Sequence, residues 1–246
     1  ATIHLVSGAV GMAAIPFLPL PCVESWPYIF ASVVLHLGYH LFLVKAYVYG
    51  DLGQVYPIAR GISPLLLGFI TVFWIGEELT LQMMLAICLI SLGIFSLMFP
   101  GKMSIKYRFR PIIYALATGS FIAAYTLADG VGVRASGNAA SYVLWLMALE
   151  CLPLLGITLI LRKRTVFSSI RKNWKYAVPG GFLSLSAYWI VIWAMQHAPI
   201  ALVSAIRESS VVIVALMSIW VLKEETTVKH LLSAVMVAVG VILTQL

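Results

Sequence analysis

Residues 55–80 read VYPIARGISPLLLGFITVFWIGEELT, and residues 202–227 read LVSAIRESSVVIVALMSIWVLKEETT. Overlaid at a shift of 147, they bring Arg60 onto Arg207, Ser63 onto Ser210, Glu77-Glu78 onto Glu224-Glu225 and Thr80 onto Thr227. The same shift pairs Leu85 with Leu232 and Gly93 with Gly240, and a shift of 148 pairs Trp26 with Trp174 and Ala46 with Ala194. Apolar coincidences mean little in an apolar chain. An arginine and an acidic pair at one offset are harder to dismiss, so we read an internal repeat.

The rest of the chain says where such a repeat can live. Hydrophobic residues make up 62% of its 246 positions and charged residues 10%, against about 45–50% and about 25% in soluble domains. Ten per cent is too little charge to cover a soluble surface of this size. The same figures exclude disorder. Three cysteines, Cys22, Cys88 and Cys151, are too few for a disulfide scaffold and are read as free thiols. A spanning helix needs about 20 mostly apolar residues. Nine such stretches are expected, at 3–19, 27–47, 56–75, 80–99, 111–131, 140–161, 176–197, 201–222 and 227–245. Aromatic residues gather near their ends (Trp26, Tyr28, Tyr47, Tyr49, Trp74, Tyr107, Tyr114, Trp174, Tyr176, Trp220), as at a headgroup boundary. No cleavable signal peptide is evident, and the opening run starts abruptly, as if a segment preceded it.

Ten of the sixteen Lys and Arg fall in two short links. One holds Lys102, Lys106, Arg108 and Arg110; the other holds Arg162, Lys163, Arg164, Arg171, Lys172 and Lys175. Both lie between apolar runs, so they are read as cytoplasmic, topology-setting loops rather than a nucleic-acid surface. The opposite links carry only Arg134. Stretches 27–47, 56–75 and 80–99 pair through the repeat with 176–197, 201–222 and 227–245; the first stretch pairs with 140–161, and 111–131 has no mate. A ten-helix plan lacking its first helix gives this pattern, with a first repeat over 1–100 and a second over 111–246. An odd unit of five helices places its second copy upside down, the inverted-repeat plan of many transporters.

Three segments add a family resemblance. The run Tyr49-Gly-Asp-Leu-Gly-Gln-Val-Tyr-Pro-Ile-Ala-Arg60-Gly-Ile-Ser-Pro64 followed by Gly76-Glu-Glu78 is similar to the drug/metabolite transporter superfamily, EamA-type bacterial branch. So are Tyr125-Thr-Leu-Ala-Asp129-Gly-Val-Gly-Val-Arg134 and Ala201-Leu-Val-Ser-Ala-Ile-Arg207-Glu-Ser-Ser210 with Leu222-Lys-Glu-Glu225. The resemblance implies an all-α polytopic membrane protein with two inverted five-helix repeats around a central cavity. It implies export or exchange of small metabolites across a bacterial inner membrane, with the two halves rocking about a midplane site. The alternatives are a flippase or lipid-carrier translocator on the same fold and, more remotely, a membrane-embedded enzyme.

Ionisable groups within spans are the sharpest local signal, since each costs about 2.5–3.5 kcal/mol at mid-helix. Arg60, Asp129, Glu150, Arg207 and Glu208 fall in or near spans. Two roles are open to them, as helix-joining ion pairs or as cavity lining. Arg60 lies four residues before Pro64, which removes the helix partner of the Arg60 carbonyl and invites a kink; Pro153 does the same for Leu149, beside Glu150. Pro179-Gly180-Gly181 is expected to loosen its own stretch. Arg60 and Arg207 suit a substrate carboxylate. Asp129, with Tyr125 one turn earlier, suits an ammonium or a proton, and Glu150 is a second candidate for proton coupling; the alternative for Asp129 is capping of a Gly130-Val-Gly132 turn. Tyr56, Ser63, Glu208 and Ser210 join the candidate lining. Tyr39, His40, Tyr188, Trp189 and Trp193 add aromatic walls for flat or cationic organic groups. His36 and His40, four apart, lack the further ligands of a metal site. Glu77, Glu78, Glu224 and Glu225 precede helices and are read as structural. No phosphate loop, nucleophile elbow or zinc spacing is present, so neither a cofactor nor enzymatic chemistry is expected. The expected partners are a small-molecule substrate, protons and lipid, in a monomer or homodimer.

Overall fold

The computed structural model describes residues 2–50, 52–97, 109–162, 165–213 and 228–244. Among these residues the chain is helical between short links, with no strand. The helices are α1 (Thr2–Ala14), α2 (Trp26–Tyr49), α3 (Leu52–Ile70), α4 (Leu81–Ser96), α5 (Phe109–Ser136), α6 (Ala139–Arg162), α7 (Thr165–Met195), α8 (Ile200–Glu208) and α9 (Val228–Leu243). Among the described residues, five segments are long and apolar enough to cross a membrane: Val23–Tyr49, Val55–Ile75, Phe109–Ser136, Ala139–Ile160 and Trp174–Met195. The segments Ile3–Phe17, Leu81–Ser96 and Leu232–Leu243 are apolar but shorter; sixteen residues of α4 rise about 24 Å. On α2, Phe30, Val34, Leu41, Val44 and Val48 form an exposed apolar stripe. Such a stripe is at home against lipid, not water. This is a multi-pass membrane protein.

Lys102, Lys106, Arg108, Lys163 and Arg164 of the two basic clusters, with Tyr107, Trp220, Glu224, Glu225 and Thr227, lie outside the described residues. The cysteines are free, Cys22 and Cys88 exposed and Cys151 buried.

Two compact units divide the chain. The first holds residues 1–37 and 128–197, so it contains α1, the start of α2, the end of α5, α6 and α7. Here α1 lies against α6 and α7. A Cβ on Gly8 would stand 2.3 Å from the Cys151 Cβ, and one on Gly11 would stand 2.9 Å from the Leu144 carbonyl. Ascending positions on α1 therefore meet descending positions on α6, and the two helices run antiparallel. Gly181 serves the same close approach, since its Cβ would meet Val6 at 2.5 Å. The helix does not loosen at Pro179-Gly180-Gly181; α7 is continuous through them.

The second unit holds residues 38–127 and 198–246. Here α4 packs on α9, and α3 packs on both α4 and α8. Gln82 near the start of α4 donates to the carbonyl of Leu243 near the end of α9 at 3.0 Å. Ser233 near the start of α9 donates to the carbonyl of Gly93 at 2.7 Å. These two helices are antiparallel as well, and they meet at Gly93 and Gly240, whose Cβ atoms would clash with Val237 and Ile90 at 2.7 Å each. The α3–α8 pair is also antiparallel: Glu77, beyond α3, accepts from the Ile200 N–H at the start of α8 at 3.0 and 3.1 Å. Glu77 thus caps α8, while Thr80 is the N-cap of α4 and accepts from Met83 N–H at 3.2 Å.

Pro64 does not break α3, which runs on to Ile70 and ends in a π turn, Thr71–Ile75, closed by Gly76 at φ +76°.

Candidate functional site

In the second unit, α3, α5 and α8 bring charges together. Glu208, the last residue of α8, is wholly buried. Its Oε2 accepts from Arg60 Nη1 at 2.9 Å. Its Oε1 accepts from Arg207 Nε at 3.0 Å and Nη2 at 2.8 Å. Arg207 also donates to Thr126 Oγ1 at 3.3 Å. Each guanidinium lies over a phenol ring: Arg60 is 5.3 Å from the Tyr56 centroid and Arg207 is 6.0 Å from that of Tyr125. Tyr39 sets its ring edge-on to Tyr125 at 5.8 Å, and His40 lies 4.9 Å from Tyr39. The arginine side chains keep 25% and 15% of their surface exposed, so they remain reachable while the carboxylate between them is not. Ser63, one turn along α3 from Arg60, is buried with no hydrogen-bond partner for its hydroxyl among the described residues. Ser210 is exposed.

The first unit builds a different cluster. Asp129 is wholly buried, with Tyr142 and His36 buried beside it. Tyr142 donates to Asp129 Oδ1 at 3.1 Å, and Tyr188 donates to Oδ2. The Tyr188 hydroxyl stands 3.5 Å from His36 Nε2. His36 Nδ1 lies 3.0 Å from the Ser32 carbonyl and 3.1 Å from its hydroxyl.

Asp129 is not near its helix end and does not cap a turn at Gly130-Val-Gly132, because α5 continues to Ser136. The turn comes at Gly137, φ +71°, and Asn138 then caps α6 by accepting from Ser141 N–H at 3.0 Å. Gly132 instead makes room: its Cβ would stand 2.6 Å from the Tyr142 hydroxyl. Asp129 and Tyr125, expected to act together, belong to different networks.

Glu150 is buried, with Oε1 3.8 Å from His4 Nδ1. Trp189 lines a small cavity of about 160 Å³ with Ala140, Val143, Leu144, Leu185 and Ser186. Trp189 and Trp193 are half exposed, and Trp193 stacks on His197 at 4.9 Å.

The profile of the EamA-like transporter family matches residues 109–246. The chain belongs to that family. Its membership makes this a membrane transporter of small molecules. A crystal structure described only as that of a protein has a similar fold, with a TM-score of 0.75 and 17% identity over 99% of this chain and 84% of the other. No curated protein matches the sequence.

Four network members escaped the candidate site drawn from sequence: Thr126, Tyr142, His36 as a phenol partner, and Ser32. Tyr142 had a usable signal. It and Gly132 each stand five residues from Gly137, the position of facing residues in a helical hairpin once the turn is placed correctly.

Proposed function

We propose that this protein is a secondary transporter that exports small, amphipathic, carboxylate-bearing metabolites, amino-acid-like compounds among them, across the bacterial inner membrane by alternating access, with proton coupling through Asp129 or Glu150. The antiparallel pairing of α1 with α6, α3 with α8 and α4 with α9 supports an inverted repeat, because these are the pairs that the sequence repeat matches. One observation carries the substrate class. Two guanidinium groups share a single buried carboxylate, both oxygens of Glu208 are engaged, and Arg60 uses only Nη1 among its described partners. An anion placed against Arg60 would bring the cluster to charge balance, and a planar carboxylate matches the guanidinium fork. The rings of Tyr56, Tyr125 and Tyr39 offer apolar faces to the rest of such a molecule.

A thermal-shift screen of metabolites on the purified protein tests this. A ligand at 100 times its Kd stabilises the folded state by about 2.7 kcal/mol. Carboxylates are expected to raise the Tm of the wild type, and Arg60→Ala and Arg207→Ala to abolish both that shift and transport in proteoliposomes. Full transport by both variants would overturn the assignment.

A further inference from the structure

We propose that Asp129, Tyr188 and His36 together bind one exchangeable proton, which passes between the carboxylate and the imidazole through the Tyr188 hydroxyl. The proposal rests on the transport reading for the use made of the proton, not for its binding.

The groups facing Asp129 come from three other helices: Ser32 and His36 from α2, Tyr142 from α6 and Tyr188 from α7. On its own helix the nearest cation in sequence, Arg134, donates to the Met195 carbonyl instead. Among the described residues no lysine or arginine pairs with Asp129. An ionised Asp129 beside a neutral His36 would leave one net negative charge buried, at a cost of several kcal/mol. One added proton removes that charge wherever in the cluster it sits.

The geometry gives the proton two seats. In the tautomer whose Nδ1–H donates to the Ser32 carbonyl, 3.0 Å away, Nε2 is the His36 nitrogen that gains and loses the proton. In one arrangement Nε2 is protonated and donates to the Tyr188 oxygen, while the Tyr188 hydroxyl donates to ionised Asp129. In the other, a protonated Asp129 donates to the Tyr188 oxygen, and the Tyr188 hydroxyl donates to neutral Nε2. Each holds one proton, and the two interconvert when both hydrogens hop along the chain. The Nε2 to hydroxyl separation of 3.5 Å is at the outer limit of a hydrogen bond, so the hop needs a small approach of α2 to α7, the kind of motion a gating helix makes.

The chain contains only two aspartates, Asp51 and Asp129. Asp51→Asn protein made with carboxyl-¹³C aspartate therefore carries one labelled side chain, that of Asp129. In lipid nanodiscs, with no substrate present, infrared spectra after a pH jump are expected to show the labelled carboxyl and the His36 ring, assigned by loss in His36→Gln, changing on one time course. Tyr188→Phe keeps the ring and removes the relay, and it should slow one of the two changes about tenfold or more. No change in either the labelled carboxyl or the His36 ring at any pH at which the protein remains folded would overturn the binding, and a carboxyl that stays ionised while the ring changes would overturn the passage between them. An unchanged time course in Tyr188→Phe would overturn the relay. Because no transport is measured, a failed flux assay and a failed proton assay are separable.

Discussion

The two units each bury one carboxylate completely, Glu208 in one and Asp129 in the other, yet they surround it with opposite company. Glu208 is gripped by two guanidinium groups; Asp129 is met by two phenols. Two guanidinium groups on one carboxylate leave the first arrangement with one positive charge over. Under the proposals above the first takes an anion and the second a proton. Burial of a carboxylate alone therefore says little about function, and the sign of the remaining charge says much more.

The largest effect should come from Glu208→Gln. It deletes the negative charge that two mostly buried guanidinium groups share. Removing one partner of a buried ion pair costs about 3–5 kcal/mol, read as lost unfolding free energy in detergent. A loss below about 1 kcal/mol would mean that the arginines are neutralised by something else, and the contrast between the clusters would fail.

Gly132→Ala should be intermediate. Its Cβ would stand 2.6 Å from the Tyr142 hydroxyl and 2.7 Å from the Tyr28 Cβ, so α5, α6 and α2 must part or the Tyr142 ring must swing off Asp129. Overpacking of this kind costs about 1–3 kcal/mol. The equivalent change in the other unit, Gly240→Ala, meets Ile90 at 2.7 Å but touches no charge network. Thermal unfolding of both variants, beside the infrared signal of Asp129, separates packing loss from network loss: only Gly132→Ala should disturb the carboxyl.

Much of this was legible in advance, for a definite reason. Helix positions follow from hydrophobic runs of membrane-spanning length, and the expected stretch 27–47 became Trp26–Tyr49 because lipid sets that length whatever the partners. Arg60, Arg207 and Glu208 stood out because ionised groups are costly there. Glycines misled. Gly130 and Gly132 read as helix breakers, yet Gly132 is where helices approach closely, and the two roles have one sequence signature. That error ended the helix five residues early, made Asp129 look terminal and hid Tyr142. Pairings between distant segments, such as Asp129 with Tyr188 at a separation of 59, depend on tertiary packing that no local pattern encodes.

Asp129→Asn should be the mildest change, and it sharpens the contrast most. The asparagine carbonyl can still accept from Tyr142, which now donates to Oδ1 at 3.1 Å. Its amide can donate to the Tyr188 oxygen, and the Tyr188 hydroxyl can turn to His36 Nε2, 3.5 Å away. Its second N–H can go to the Ser32 oxygen, which faces this position, so every polar atom keeps a partner, much as with the protonated carboxyl. A net hydrogen bond is worth about 0.5–1.5 kcal/mol, and none is lost, so the stability change should stay below about 1 kcal/mol in the denaturation series used for Glu208→Gln. The same side-chain chemistry, acid to amide, would then be severe where the carboxylate balances cations and nearly silent where it waits for a proton. A loss for Asp129→Asn as large as that for Glu208→Gln would mean that Asp129 is held as an anion by a cation, and its cluster would be a second ion-pair site rather than a proton site.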